Sequence, residues 1–190
     1  GETNANLCMA WSPDGKLLAT GSQNTVRIWN ADGKLVRTLE GGHTDIVTAV
    51  AWSHDGRVLA SGAQDRVVRL WDVESGKPLP FEKKVVNPPP AWGILFSPND
   101  QYLVTGSQNA PATVWDTKTG KALGECAGTR LHISPDSKRL TAVSYFAEFC
   151  QFDLDLGHIL ARANGPAIWF GDWSMAWAPN TDLAAGRSEN

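Results

Sequence analysis

The chain has 190 residues, 42% of them hydrophobic and 19% charged, with a net charge of −3. This is an ordinary globular composition with enough apolar material for a core. It lacks the basic block that non-specific nucleic-acid binding requires, and no apolar run approaches the ~18 residues of a membrane-spanning helix, so neither a nucleic acid nor a membrane is expected as partner.

Taken in chain order, Leu7-Cys8-Met9-Ala10-Trp11 is a short apolar run, which predicts an innermost strand buried on both faces. Ser12-Pro13-Asp14-Gly15 reads as a turn, with Pro fixing φ at the first turning position and Asp and Gly suiting those that follow. Lys16–Gly21 reads as a second strand. Thr25–Trp29 alternates polar and apolar residues, as a half-buried strand does. Asn30-Ala31-Asp32-Gly33 is a hairpin turn, and Lys34–Leu39 an outer strand. The same order then recurs, through Trp71-Asp72 and Val73-Glu74-Ser75-Gly76, and again through Trp115-Asp116 and Thr117-Lys118-Thr119-Gly120. A fourth unit is degenerate, with Phe152-Asp153 at the Trp-Asp place. No stretch sustains a 3.6-residue apolar period, so essentially no helix is expected.

The repeat is explicit. AWSPDGKLLATGS (10–22) and AWSHDGRVLASGA (51–63) are followed by LFSPNDQYLVTGS (95–107), HISPDSKRLTAVS (132–144) and AWAPNTDLAAGRS (176–188). Anchored on Trp11, Trp52, Phe96, Ile133 and Trp177, the steps are 41, 44, 37 and 44 residues, the period of a four-stranded propeller blade. Over nearly all of residues 6–188 the chain resembles the WD-repeat family. The resemblance implies an all-β propeller and, in each unit, a hydrogen-bonded set. That set joins a His of a Gly-His pair, a Ser or Thr on the second strand, an Asp in the next turn and the third-strand Trp. The second unit has the full set in Gly42-His43, Ser61, Asp65 and Trp71. The first has Asn24 and the third Asn109 at the Asp place, and the third lacks the Gly-His pair. Units three and four are therefore expected to rely more on apolar packing.

The expected blades cover about 6–40, 46–84, 91–126 and 129–163, with a partial fifth at 172–188, all within a single propeller segment spanning 1–190. About four and a half four-stranded blades leave the ring unfinished. An open arc exposes blade faces and edges, so the chain is expected to belong to a larger ring, or to need further blades or another chain to close it. A self-contained four-bladed ring is the weaker reading. Beginning at Gly1 rather than Met, the chain is also expected to be a piece of something longer.

Candidate sites are few. His54, His132 and His158 sit in different parts of different units, without metal-ligand spacing. Asp153-Leu154-Asp155-Leu156-Gly157 has carboxylates in the manner of a calcium loop but aligns with the hairpin turn Asp116–Gly120. No metal and no cofactor is expected, and no catalytic residue. Lys83-Lys84 reads as a solvated edge strand guarded by charge, and Asn87-Pro88-Pro89-Pro90 as a stiff loop. Of nine tryptophans, those on strands (Trp11, Trp29, Trp52, Trp71, Trp115, Trp177) are expected in the core. On one rim, Arg66, Trp92, Arg130, Tyr145, Phe146, Trp169 and Phe170 form a candidate partner-binding set, because Arg and aromatic side chains on a rigid rim are what binding hot spots are made of. Equally, Trp92, Trp169 and Phe170 could plug the channel. Cys8, Cys126 and Cys150 lack a CxxC spacing and read as small buried residues in a reducing compartment. With no Asn-x-Ser/Thr site and no visible signal peptide, the expected location is intracellular, cytoplasmic or nuclear.

The function these features imply is a non-catalytic scaffold or ligand-sensing propeller that binds a protein or peptide. The alternatives are a propeller enzyme with substrate in the central channel, or a permanent structural subunit of a large assembly. The inner strands carry mostly Leu, Ala, Val, Ile, Trp and Phe, with Asp172 the main acidic exception, which disfavours the enzyme.

Overall fold

The computed structural model describes residues 8–39, 42–84, 91–107, 110–128, 130–143, 148–164, 176–177 and 184–185. The architecture is all-β, and the described residues contain no helix. Blade 1 comprises β1 (Cys8–Trp11), β2 (Leu17–Ser22), β3 (Thr25–Asn30) and β4 (Leu35–Leu39). Blade 2 comprises β5 (Val47–Trp52), β6 (Val58–Ala63), β7 (Val67–Asp72) and β8 (Pro78–Lys84). Blade 3 comprises β9 (Ala91–Phe96), β10 (Tyr102–Ser107), β11 (Ala110–Asp116) and β12 (Ala122–Cys126), and blade 4 β13 (Arg130–Ile133), β14 (Arg139–Val143), β15 (Glu148–Asp153) and β16 (His158–Asn164). A short pair, β17 (Ala176–Trp177) and β18 (Ala184–Ala185), follows. Within each sheet the strands lie in sequence order, so every connection is a hairpin and β4, β8, β12 and β16 are edges.

The Ser-Pro-Asp turn explains itself. In blade 1, Ser12 N donates to Leu17 O (2.7 Å), Ser12 Oγ donates to Asp14 Oδ1 (2.7 Å), and Leu17 N donates back to Ser12 Oγ (2.9 Å). The same hydroxyl-to-carboxylate or hydroxyl-to-amide bond forms at Ser53–Asp55, Ser97–Asn99 and Ser134–Asp136, each 2.6 Å. One serine thus closes each hairpin from inside. The last turn residue is left-handed in all four: Gly15 (φ 70°), Gly56 (71°), Asp100 (58°) and Ser137 (61°).

Three apolar clusters lie between successive blades. Ala19, Val26, Ile28 and Leu39 of blade 1 meet Trp52, Leu59 and Trp71 of blade 2. Ala60, Val68 and Leu70 of blade 2 meet Ile94, Phe96, Leu103 and Trp115 of blade 3. Val104, Ala112 and Val114 of blade 3 meet Leu140, Ala142, Phe152 and Leu154 of blade 4. Blades 2 and 3 therefore each turn one register-matched face to the preceding blade and the other to the following blade.

Two expectations are corrected. β1 is not buried on both faces: Met9 is 73% and Trp11 54% exposed, while Cys8 and Ala10 pack against blade 2. Trp11 is thus outside the core, and the strand alternates because, among the described residues, only one of its faces has a neighbour. The cysteines are not all unpaired thiols either. Cys126 and Cys150 form a disulfide between β12 and β15, and Cys8 alone is free.

Candidate functional site

The blade-2 network is built by four local features. β6 places Ser61 at the interior of the sheet (0% exposed), and β7 sets Trp71 beside it. Trp71 Nε1 donates to Ser61 Oγ at 2.7 Å. Ser61 Oγ lies 2.8 Å from His43 Nε2, and His43 Nδ1 lies 2.9 Å from Asp65 Oδ2. An ionised carboxylate only accepts, so Nδ1 carries the proton and Nε2 accepts from the Ser61 hydroxyl. The chain of donors runs one way, from indole to hydroxyl to imidazole to carboxylate. Asp65 also takes the backbone N–H of Thr44 (3.0 Å) and Val67 (2.9 Å). Burial works against its charge, but those N–H groups and His43 outweigh burial and hold its carboxyl below the usual range. Gly42 precedes His43 because a Cβ there would fall on the Trp71 ring.

The Ser–His–Asp distances are also those of a hydrolase triad. Two facts prevent nucleophilic use. Ser61 is fully buried, and its oxygen already accepts the Trp71 N–H. A shorter version recurs in the neighbours: Trp29 Nε1 and Trp115 Nε1 donate to Thr20 Oγ1 and Thr105 Oγ1, both at 2.9 Å. Blade 4 has Phe152 and Ala142 at these places and no N–H to offer.

Other residues fasten the junctions. Asp100 accepts His54 N (2.7 Å), His54 Nδ1 (3.3 Å) and Asp55 N (3.0 Å), so the blade-3 turn grips the blade-2 turn. Ser137 Oγ accepts Asn99 N (3.0 Å), so the blade-4 turn holds the blade-3 turn. Tyr102 Oη donates to Asp155 Oδ1 (2.9 Å); burial first, then that carboxylate, pushes its phenol up to about 12. Sequence reading missed Asp100 and Ser137. The available signal was that both replace a glycine at a left-handed position.

The Asp153–Gly157 segment is a hairpin turn, with Gly157 N donating to Asp153 O (3.0 Å) and Leu156 N to Asp153 Oδ1 (2.8 Å). Among the described residues no group of three or more His, Cys, Asp or Glu is placed to hold a metal ion. His132 is half-buried on β13, and burial lowers its imidazole. His158 opens β16, and Lys83-Lys84 lies on the edge strand β8. On the rim, Arg66 is exposed in the β6–β7 turn with φ 65°, and Arg130 is exposed at the start of β13. Trp92 lies on β9, but its side chain is outside the described residues, as are Asn109, Tyr145, Phe146, Trp169 and Phe170. The structure therefore brings together His43, Ser61, Asp65 and Trp71, and it describes only the two arginines of the rim set. Among the described residues no helix is long and apolar enough to cross a membrane.

Four-stranded meanders with this hydrogen-bonded set are the blades of a WD-type β-propeller. Residues 4–30 and 33–72, about a third of the chain, match the family model "WD domain, G-beta repeat", so this part of the chain carries WD repeats. It is similar to the β-propeller domain of Cps50 (Swd1) from Myceliophteria thermophila, with a TM-score of 0.73 and 20% identity. That likeness covers 88% of this chain and 57% of the other, so the chain spans a little over half of that domain. At this identity the likeness shows the fold. A search of curated proteins gives no match.

Proposed function

We propose that this chain is a non-catalytic interaction scaffold, a run of blades that works inside a larger propeller or complex and presents a rim to a protein or peptide. The observation that carries this reading is the uncovered face of blade 1. Trp52 is 7% exposed, and its Nε1 donates to Ala10 O of the preceding blade at 2.9 Å. Trp11 holds the same register in blade 1, paired with Leu18 as Trp52 is with Leu59, and is 54% exposed. Met9, two residues earlier on that face, is 73% exposed, and Ser22 is buried with its hydroxyl unpaired. An apolar, strand-shaped face of this kind is what the inner strand of another blade covers. Its matching occupant offers a carbonyl to the Trp11 N–H and a small side chain beside it, as Ala10 does for Trp52.

Short turns fix the rim loops, so a partner docking near Arg66 and Arg130 orders little backbone. The buried, doubly engaged Ser61 favours a structural over a catalytic role for the network. The test is light scattering on the isolated chain across a concentration series, with and without Trp11→Lys. Concentration-dependent association that the substitution suppresses is expected. A monomer near 20.5 kDa at every concentration, with a sharp thermal transition unaffected by Trp11→Lys, would overturn the reading.

A further inference from the structure

The junction between blades 3 and 4 carries a feature absent at the other described junctions. Cys126 ends the outer strand β12, paired with Ala112, and Cys150 lies on β15, paired with Ala142. These strands belong to different sheets. The two residues are 0% and 1% exposed and sit in the same cluster as Val114, Leu140 and Phe152. Their Cα atoms are 5.9 Å apart, a separation a disulfide spans without moving the backbone. At the blade 1–2 junction the register-equivalent residues are Leu39 and Arg69, and at the blade 2–3 junction Lys83 and Thr113. The bridge therefore belongs to one junction and not to the repeat. It is also the junction whose later blade has lost the indole, the hydroxyl and the His-Asp pair.

We infer that Cys126–Cys150 is a structural inter-blade staple that replaces the lost network, and that the chain is made to fold where thiols are oxidised. The oxidant is a small disulfide RSSR, such as oxidised glutathione. The thiolate of one cysteine attacks it and releases one thiol RSH. The thiolate of the other then attacks the mixed disulfide and releases a second RSH. Two protein thiols and one RSSR thus give one protein disulfide and two RSH, the two thiol protons ending on the released thiols. Because both sulfurs are buried once the blades are packed, exchange requires blades 3 and 4 to part. The bond consequently resists mild reductant in the folded chain and forms while the junction is still open. Such bonds persist in oxidising compartments, which removes the cysteine argument for a reducing one.

The test is thiol trapping. The chain is acid-quenched directly from its source cells, denatured without reductant, alkylated with iodoacetamide and mapped by mass spectrometry. Alkylation of Cys8 alone, with a linked Cys126–Cys150 peptide pair, is expected; alkylation of all three cysteines overturns the inference. A second measurement reads the bond's effect on stability. Purified wild-type chain is unfolded in urea after full reduction and after reoxidation with oxidised glutathione. Closing a loop of 24 residues predicts a folded-to-unfolded ratio on the order of a hundredfold lower in the reduced protein. Equal midpoints for the two forms overturn the staple. Cys8→Ser leaves both results unchanged; loss of the linked pair in that variant would show that the pairing is not specific and overturn it as well.

Discussion

Replacing Ser61 by Ala removes one oxygen and strands two buried groups. Trp71 is 1% exposed and loses the acceptor of its indole N–H; His43, 4% exposed, loses the donor to Nε2. Each buried polar group left unpaired costs about 1–3 kcal/mol, so the substitution is expected to cost roughly 2–5 kcal/mol. That is a large share of the ~5–15 kcal/mol of a typical domain. Two neighbours calibrate the figure. Thr105→Val strands one indole N–H, that of buried Trp115, and should cost about 1–3 kcal/mol. Thr20→Val strands the N–H of Trp29, which is only half-buried and can turn to water, and should cost below about 1 kcal/mol. Urea unfolding followed by tryptophan fluorescence gives all three. Adding Trp71→Phe to Ser61→Ala should cost less than Trp71→Phe alone, since the indole N–H is by then unpaired. A Ser61→Ala cost within about 0.5 kcal/mol of zero, or below that of Thr105→Val, would refute the one-way donor chain.

Acid should destabilise the fold through a common mechanism. Asp14, Asp55 and Asp136 are held below the usual carboxylate range first by their turn serines, Asp72 and Asp116 by Ser75 and Thr119, and Asp65 by the donors around it. Depressed folded values mean that the unfolded chain binds more protons. This stability is therefore complete above the unfolded value near ~4 and is lost as pH falls through the folded values; unchanged urea midpoints between pH 6 and pH 3 would contradict it, and Asp65→Asn should flatten the slope. Asp100→Asn should cost about 1 kcal/mol by weakening the grip on the blade-2 turn. Asp100→Ala should cost more, because alanine loses the grip and tolerates φ 58° less well; equal stabilities of the two variants would contradict this. Gly21→Ala should cost about 1–3 kcal/mol, since the new Cβ would lie 2.5 Å from Cys8 Sγ and 2.6 Å from Val47 Cγ1 at the blade 1–2 junction, and a melting curve matching wild type would argue against that packing.

The blades were legible in the sequence because their determinants are local. The Ser-Pro-Asp turns close through bonds two to five residues apart, and the alternation in Thr25–Trp29 needs only its own strand. What escaped was set by neighbours in space. Trp11 and Trp52 are the same residue in the same motif, and among the described residues what separates 54% from 7% exposure is that blade 1 packs over Trp52. The cysteine pair escaped because it joins different sheets, so no spacing rule applies. Asp100 and Ser137 look like weak turn residues until their side chains are seen reaching the preceding turn. In blade 4 the successor-facing positions hold His132, Thr141 and Gln151, where blade 3 has Leu95, Val104 and Val114. The repeat decays there in face chemistry as well as in motif.

Blade 1 is proposed to present a face made for another blade. Hydroxyl-radical footprinting of Trp11 and Trp52 tests it most directly, in the isolated chain and in the assembly recovered from its source. Trp52 should be protected in both, and Trp11 oxidised in the isolated monomer and protected in the assembly. Trp11 protected in the isolated monomer, or equally reactive in the assembly, would contradict it.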